Sequence, residues 1–142
     1  VCNWIKDAES AGATVQIGGE RTGNIVTPTV LTNAPGGLKI SCQEVFGPVV
    51  VVYPFSKLDN ALQQVNNSVY GLQAGIYTPF LDHALEAAEK LEGGGVMIND
   101  IPTFRVDQMP YGGVKESGVG REGLKYAIEE MTEMKLIVIQ KS

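Results

Sequence analysis

With 142 residues, 44% hydrophobic and 19% charged, the chain has the composition of an ordinary globular domain and enough length for one sizeable core, which excludes a disordered tail. A net charge of −5, with arginines only at positions 21, 105 and 121, leaves no basic stripe for nucleic acid. Apolar runs such as Val49 to Val52 are far too short to cross a bilayer, and no charged start leads into a hydrophobic segment; a reducing cytoplasmic setting, without membrane or nucleic-acid partners, is expected.

Periodicity begins at once. Trp4, Ile5, Ala8 and Ala11 trace one face, which predicts a helix over Asn3 to Ala11 stopped at Gly12. A chain that opens inside an amphipathic helix is expected to be a piece of a longer protein. Val15 to Ile17 and Thr27 to Leu31 have strand character, punctuated by Gly18-Gly19 and by the turn Pro35-Gly36-Gly37. Val49 to Phe55 is a continuous β-branched run that suits a strand buried on both faces. Ser56 is placed to cap the next helix, whose apolar face is Leu58, Ala61, Leu62, Val65 and Val69.

The pattern then repeats. Ala74 to Tyr77 predicts a strand, and Thr78-Pro79 an N-cap with proline in the first helical turn. Leu81, Ala84, Leu85, Ala88 and Leu91 line the following helix, which ends at Gly93-Gly94-Gly95, and Val96 to Ile98 forms the next strand. The alternation predicts an α/β fold with an open, mainly parallel sheet and flanking helices. A glycine-rich loop runs from Asn99 to Gly123. The last elements are a helix carrying Leu124, Ala127, Ile128, Met131 and Met134, and a strand over Leu136 to Ile139.

Several short patterns invite chemistry. Glu44 and Phe46 precede the valine strand, where a carboxylate can accept from ribose hydroxyls and a ring can pack on a flat heterocycle. On chemistry alone, a solvated glutamate and a core phenylalanine are the favoured alternative. Gly118, Gly120 and Gly123 match G-x-G-x-x-G, but no strand leads directly into it and no ribose-binding acid follows, so a tight turn is the better reading. Arg105 suits a carboxylate or phosphate on a substrate, though on chemistry alone an intraloop ion pair, with Asp107 nearby, is the favoured alternative. His83, the only histidine, is expected to be exposed, and Cys42 to be a small buried side chain. No metal-ligand spacing is present in the sequence.

The order of the motifs decides more than any one of them. Glu44-Val45-Phe46-Gly47-Pro48, then Asn67 to Gly71 leading into Leu72 to Thr78, then Gly95 to Asn99, Pro110 to Lys115, Ser117-Gly118 and Gly120-Arg121-Glu122 follow at workable spacing. The series resembles the NAD(P)-dependent aldehyde dehydrogenase superfamily over essentially the whole chain. The resemblance implies residues 1–134 as the C-terminal part of the catalytic domain and 135–142 as an oligomerisation strand, hence a homo-oligomer. It implies NAD or NADP as cofactor, with Glu44 on the nicotinamide ribose and Phe46 near the nicotinamide ring. Glu122 is implied as an accessory proton relay, and Phe104 and Arg105 as lining for a small aldehyde substrate.

The implied reaction converts an aldehyde to a carboxylic acid through a cysteine thiohemiacetal and thioester. The family's nucleophile, general base and adenine-side fold match nothing in these 142 residues, so the chain alone is expected to be inactive and to bind cofactor weakly. A non-catalytic assembly or binding module that keeps the fold is the alternative. The loop Phe104 to Asp107 most resembles enzymes acting on lactaldehyde or other small polar or anionic aldehydes.

Overall fold

A computed structural model describes residues 1–141, which divide into two compact units, Val1–Lys57 and a second from Leu58 onward. In the first, helix α1 (Cys2–Ser10) buries Ile5 and Ala8, as its apolar stripe predicts, and gives way at Gly12, whose φ is 100°. Strand β1 (Thr14–Ile17) is followed by a two-stranded ribbon, β2 (Arg21–Thr22) and β3 (Ile25–Val26), and then by β4 (Thr29–Thr32). A short helix α2 (Lys39–Cys42) precedes β5 (Val49–Val52). β4 pairs antiparallel with β1 and parallel with β5, in register from Thr29 opposite Val49 to Thr32 opposite Val52. Ile5, Ala8, Leu31 and Ile40 form the core of this unit, with Trp4, Val15, Val49 and Val51 packed around it.

Strand β5 is not buried on both faces, as its valine run suggests. It lies at the edge of a three-stranded sheet, and only Val49 and Val51 turn toward the core; Val50 and Val52 are 52% and 47% exposed. The cause is a periodicity of two with a core on one side only.

Thr29 is the buried polar residue of this unit. Its hydroxyl accepts from the Gly19 N–H at 2.9 Å and donates to the Thr27 carbonyl at 2.8 Å, which ties down the left-handed Gly18-Gly19 turn. Thr29→Val keeps the shape and strands both partners, at an expected cost of about 1–3 kcal/mol. Thermal unfolding of the full-length protein should show a lowered midpoint for Thr29→Val and a smaller drop for Thr29→Ser. Equal midpoints for valine and wild type would remove the hydroxyl from the account.

The second unit opens with α3 (Leu58–Asn66), which starts two residues after Ser56, and continues through β6 (Tyr70–Gly71) and β7 (Gln73–Ile76). Helix α4 (Leu81–Lys90) connects β7 to β8 (Gly95–Ile98), and these two strands pair in parallel from Gln73 opposite Gly95 to Ile76 opposite Ile98. Leu62, Ala87 and Leu91 form the core here, covered by Leu58, Ala74, Ile76 and Val96. The expected α/β class holds, with the parallel pairs β4–β5 and β7–β8 each inside its own unit. Thr78 does not cap α4: the helix starts at Leu81, and the Thr78 hydroxyl accepts from the Phe80 N–H at 3.2 Å to make a local turn instead.

Strand β9 (Val114–Lys115) pairs antiparallel with β6, and Lys115, at φ 56°, reaches the end of α3. Its ammonium donates to the carbonyls of Asn66 and Ser68 at 2.6 and 3.2 Å and pairs with Glu92 at 2.8 Å, satisfying orphan carbonyls at a helix C-terminus. Lys90 ties α4 to α3 through Asp59 and pairs with Glu86 one turn back on its own helix, each at 2.6 Å. The Asp59 carboxylate, then Glu86, raises the Lys90 pKa above its ordinary 10.5. That contribution is complete below 10.5 and is lost as pH climbs through the raised value.

Helix α5 (Leu124–Glu130) is shorter than its apolar pattern predicts, and Met131 and Met134 are almost fully exposed. Leu136 to Ile139 form no strand; they lie open to solvent, because a strand exists only with a ladder partner and none of the described residues supplies one. Ser142, the end of the expected 135–142 segment, falls outside the described residues. Among the described residues no helix is long and apolar enough to cross a membrane.

Candidate active site

The loop after β8 is built by backbone chemistry. The Asn99 N–H donates to the Ile76 carbonyl at 2.7 Å, prolonging the ladder by one bond, and the chain then turns through a left-handed Asn99 at φ 58°. Asparagine tolerates that conformation, and its side-chain oxygen accepts from the Thr78 N–H at 2.8 Å. Gly75 admits the turn, since a Cβ there would lie 2.7 Å from the Asp100 carbonyl oxygen. Phe104 closes a short turn by donating its N–H to the Ile101 carbonyl at 3.2 Å, and its ring is 47% exposed.

Two distant points of the loop are then fastened together. Tyr111 and Glu122 form an isolated antiparallel bridge, each donating its N–H to the other's carbonyl. Arg105 lies against both. Its guanidinium carbon sits 4.3 Å from the centre of the Tyr111 ring, and Nη2 donates to Glu122 Oε2 at 3.0 Å. The Arg105–Asp107 pair weighed from the sequence is therefore replaced by a partner 17 residues away. The Arg105 and Glu122 side chains remain 48% and 67% exposed, and the guanidinium makes no second hydrogen bond to protein among the described residues. A planar cation stacked on a ring, with spare donors in a fork, is suited to a carboxylate, sulfonate or phosphate.

The G-x-G-x-x-G tract is the tight turn expected. Gly118, Gly120 and Gly123 all have positive φ, and a Cβ on Gly123 would come within 2.9 Å of the Met109 carbonyl oxygen. The helix it opens has only seven residues. Arg121 is structural: its Nη1 donates to the carbonyls of Gly113 at 3.0 Å and Gly120 at 2.7 Å.

In the first unit, Glu44 and Phe46 follow α2. Glu44 is exposed and makes no hydrogen bond or ion pair among the described residues. Phe46 overturns the core alternative: its ring is 84% exposed on a left-handed backbone at φ 46°. A bulky residue in that region costs of order 1 kcal/mol or more, and packing repays none of it here. The pair fits what a nucleotide needs, a free carboxylate for vicinal hydroxyls and an open aromatic face. Cys42 is exposed rather than buried, its thiol donating to the Leu38 carbonyl at 3.0 Å. His83 is exposed as expected, edge-on to Phe80 with ring centres 5.2 Å apart.

Residues 1–137 match the aldehyde dehydrogenase family. The chain belongs to that family. It is 50% identical over 136 residues to the 3-sulfolactaldehyde dehydrogenase of Priestia megaterium, covering 96% of this chain and 28% of that protein. Its fold matches aldehyde dehydrogenase 21 from Physcomitrella patens, solved with the reaction product succinate, at a TM-score of 0.93 and 44% identity over 98% of this chain and 29% of that one. It also matches the glyceraldehyde-3-phosphate dehydrogenase GapN of Methanocaldococcus jannaschii, solved with NADP, at a TM-score of 0.90 and 38% identity over 99% of this chain and 30% of that one. The chain thus spans under a third of the length of these relatives.

Tyr111 is the site residue that sequence reasoning did not single out. It stood inside the Pro110 to Lys115 motif, but nothing local shows that it faces Arg105.

Proposed function

We propose that this chain is the C-terminal part of a longer aldehyde dehydrogenase that oxidises a small anionic aldehyde to its carboxylic acid with NAD(P)+. The carrying observation is Arg105, stacked on Tyr111 in the loop expected to line the substrate, half exposed and with only one guanidinium nitrogen engaged by a protein acceptor. The sulfolactaldehyde enzyme and the succinate-bound moss enzyme are named for or solved with molecules that carry an anionic group remote from the aldehyde or the carboxyl carbon made from it, which agrees with an arginine anchor. In this reading Arg105 holds the remote anion and Phe104 lines the path of the carbon chain. Glu44 orients the cofactor through its ribose hydroxyls, and Phe46 packs beside the nicotinamide, which when bound supplies the hydride acceptor. Glu122 touches the substrate end through Arg105. The nucleophilic cysteine lies in the remainder of the protein, whose setting is the cytoplasm and whose copies pair through Leu136 to Ile139.

The test is substrate charge. In the full-length enzyme, Arg105→Gln should raise KM for 4-oxobutanoate about 100-fold, the loss of a charge-assisted pair, and change KM for butanal less than about threefold. Equal effects on the two aldehydes would reject Arg105 as the anion anchor.

A further inference from the structure

We infer that Glu122 is a built-in competitor for the substrate's anionic group at Arg105, and so sets how strongly the enzyme prefers anionic aldehydes. This rests on the assignment of Arg105 as the anion anchor. The bridge between Tyr111 and Glu122 fixes the Glu122 backbone beside the Tyr111 ring, so its carboxylate reaches the guanidinium by geometry and not by chance collision. The contact is a single N–H···O bond at 3.0 Å, from one nitrogen to one oxygen, and both side chains are about half exposed or more. A one-point, solvated pair is weak and exchangeable. The Tyr111 face holds the guanidinium by a contact that needs no Glu122 oxygen, so Arg105 stays in place when the carboxylate leaves.

The resting site therefore contains a surrogate anion. An incoming carboxylate or sulfonate must displace Glu122 from Nη2 or share the guanidinium with it, and a second negative charge a few ångströms away weakens the substrate's hold. A neutral aldehyde meets neither cost. Glu122 lowers affinity for the anions that Arg105 attracts and leaves the site electrically balanced when empty. Lengthening or shortening the acidic side chain tunes the exchange without touching the anchor.

The experiment compares full-length wild type, Glu122→Gln and Arg105→Gln with 4-oxobutanoate and butanal as probes, and reads the ratio of their KM values. For Glu122→Gln the ratio of anionic to neutral KM should fall about fivefold, the scale of one exposed pair plus local repulsion. Glu122→Asp, which withdraws the carboxylate by one methylene, should shift it the same way by less, and serves if the glutamine variant does not fold. An unchanged or increased ratio in both variants overturns the inference, since a carboxylate that merely orients Arg105 weakens anion binding when removed. Failure of the underlying assignment is seen separately, as an Arg105→Gln ratio equal to wild type.

Discussion

Replacing Gly94 by alanine in the full-length protein is expected to destabilise it by about 3–5 kcal/mol, as much as truncating a large core side chain. A Cβ at Gly94 would stand 1.6 Å from the Gly112 carbonyl oxygen and 2.7 Å from its carbon. Both obstacles are backbone, so no rotamer relieves them; one strand of the fold has to move. Gly94 is also held from the other side, its N–H donating to the Gly71 carbonyl at 3.0 Å just before β8 begins. Gly112 adjoins Tyr111, so the displacement runs directly into the ring that supports Arg105. The melting midpoint should fall by roughly 4 °C, and surviving protein should lose affinity for anionic aldehyde. Gly36→Ala is the control, because a Cβ there meets nothing within 4 Å. Matching midpoints for the two variants would mean that the close approach of Gly94 to Gly112 is absent.

Where local periodicity decides an element, the chain could be read directly. Trp4, Ile5 and Ala8 announce α1, and the spacing of Ala84, Leu91 and their neighbours announces α4, because a single face must be buried. What a strand or tail meets across space is a different matter. Val50 and Val52 have the same side chain as Val49 and Val51, and only the one-sided core separates them. Leu136 to Ile139 have strand composition, yet composition supplies no ladder partner.

The candidate site residues of each unit divide along the same line. Glu44 and Phe46 were singled out through motif order alone, and the left-handed backbone and open ring of Phe46 have no signature in local periodicity. The Arg105–Glu122 pair was not legible, because Asp107 is nearer in sequence and the bridge that delivers Glu122 is made of backbone bonds without side-chain signature. Cys42 failed for a related reason: composition says that cysteines are buried on average, while position at the last turn of a four-residue helix decides this one.

The 142-residue chain on its own should show no aldehyde-dependent reduction of NAD(P)+, at least about 10⁶-fold below the full-length enzyme, the order of loss when a covalent nucleophile is removed. Covalent aldehyde chemistry at neutral pH needs a thiolate supported by a base or a cation. Neither cysteine here has that setting. Cys42 is exposed, and its thiol donates to the Leu38 carbonyl rather than to a side-chain base; Cys2 sits partly buried at the start of α1. An inert chain is also what an unfolded one gives, so the decisive companion is Cys42→Ser in the full-length enzyme. It should keep kcat within about twofold of wild type, because exposed thiols without an activating partner do not drive the step. Turnover by the isolated chain, or a large loss in Cys42→Ser, would move the nucleophile into this part of the protein and overturn the division of labour proposed for it. If both expectations hold, the bond-making thiolate comes from the remainder of the longer protein, and neither Cys2 nor Cys42 takes its place.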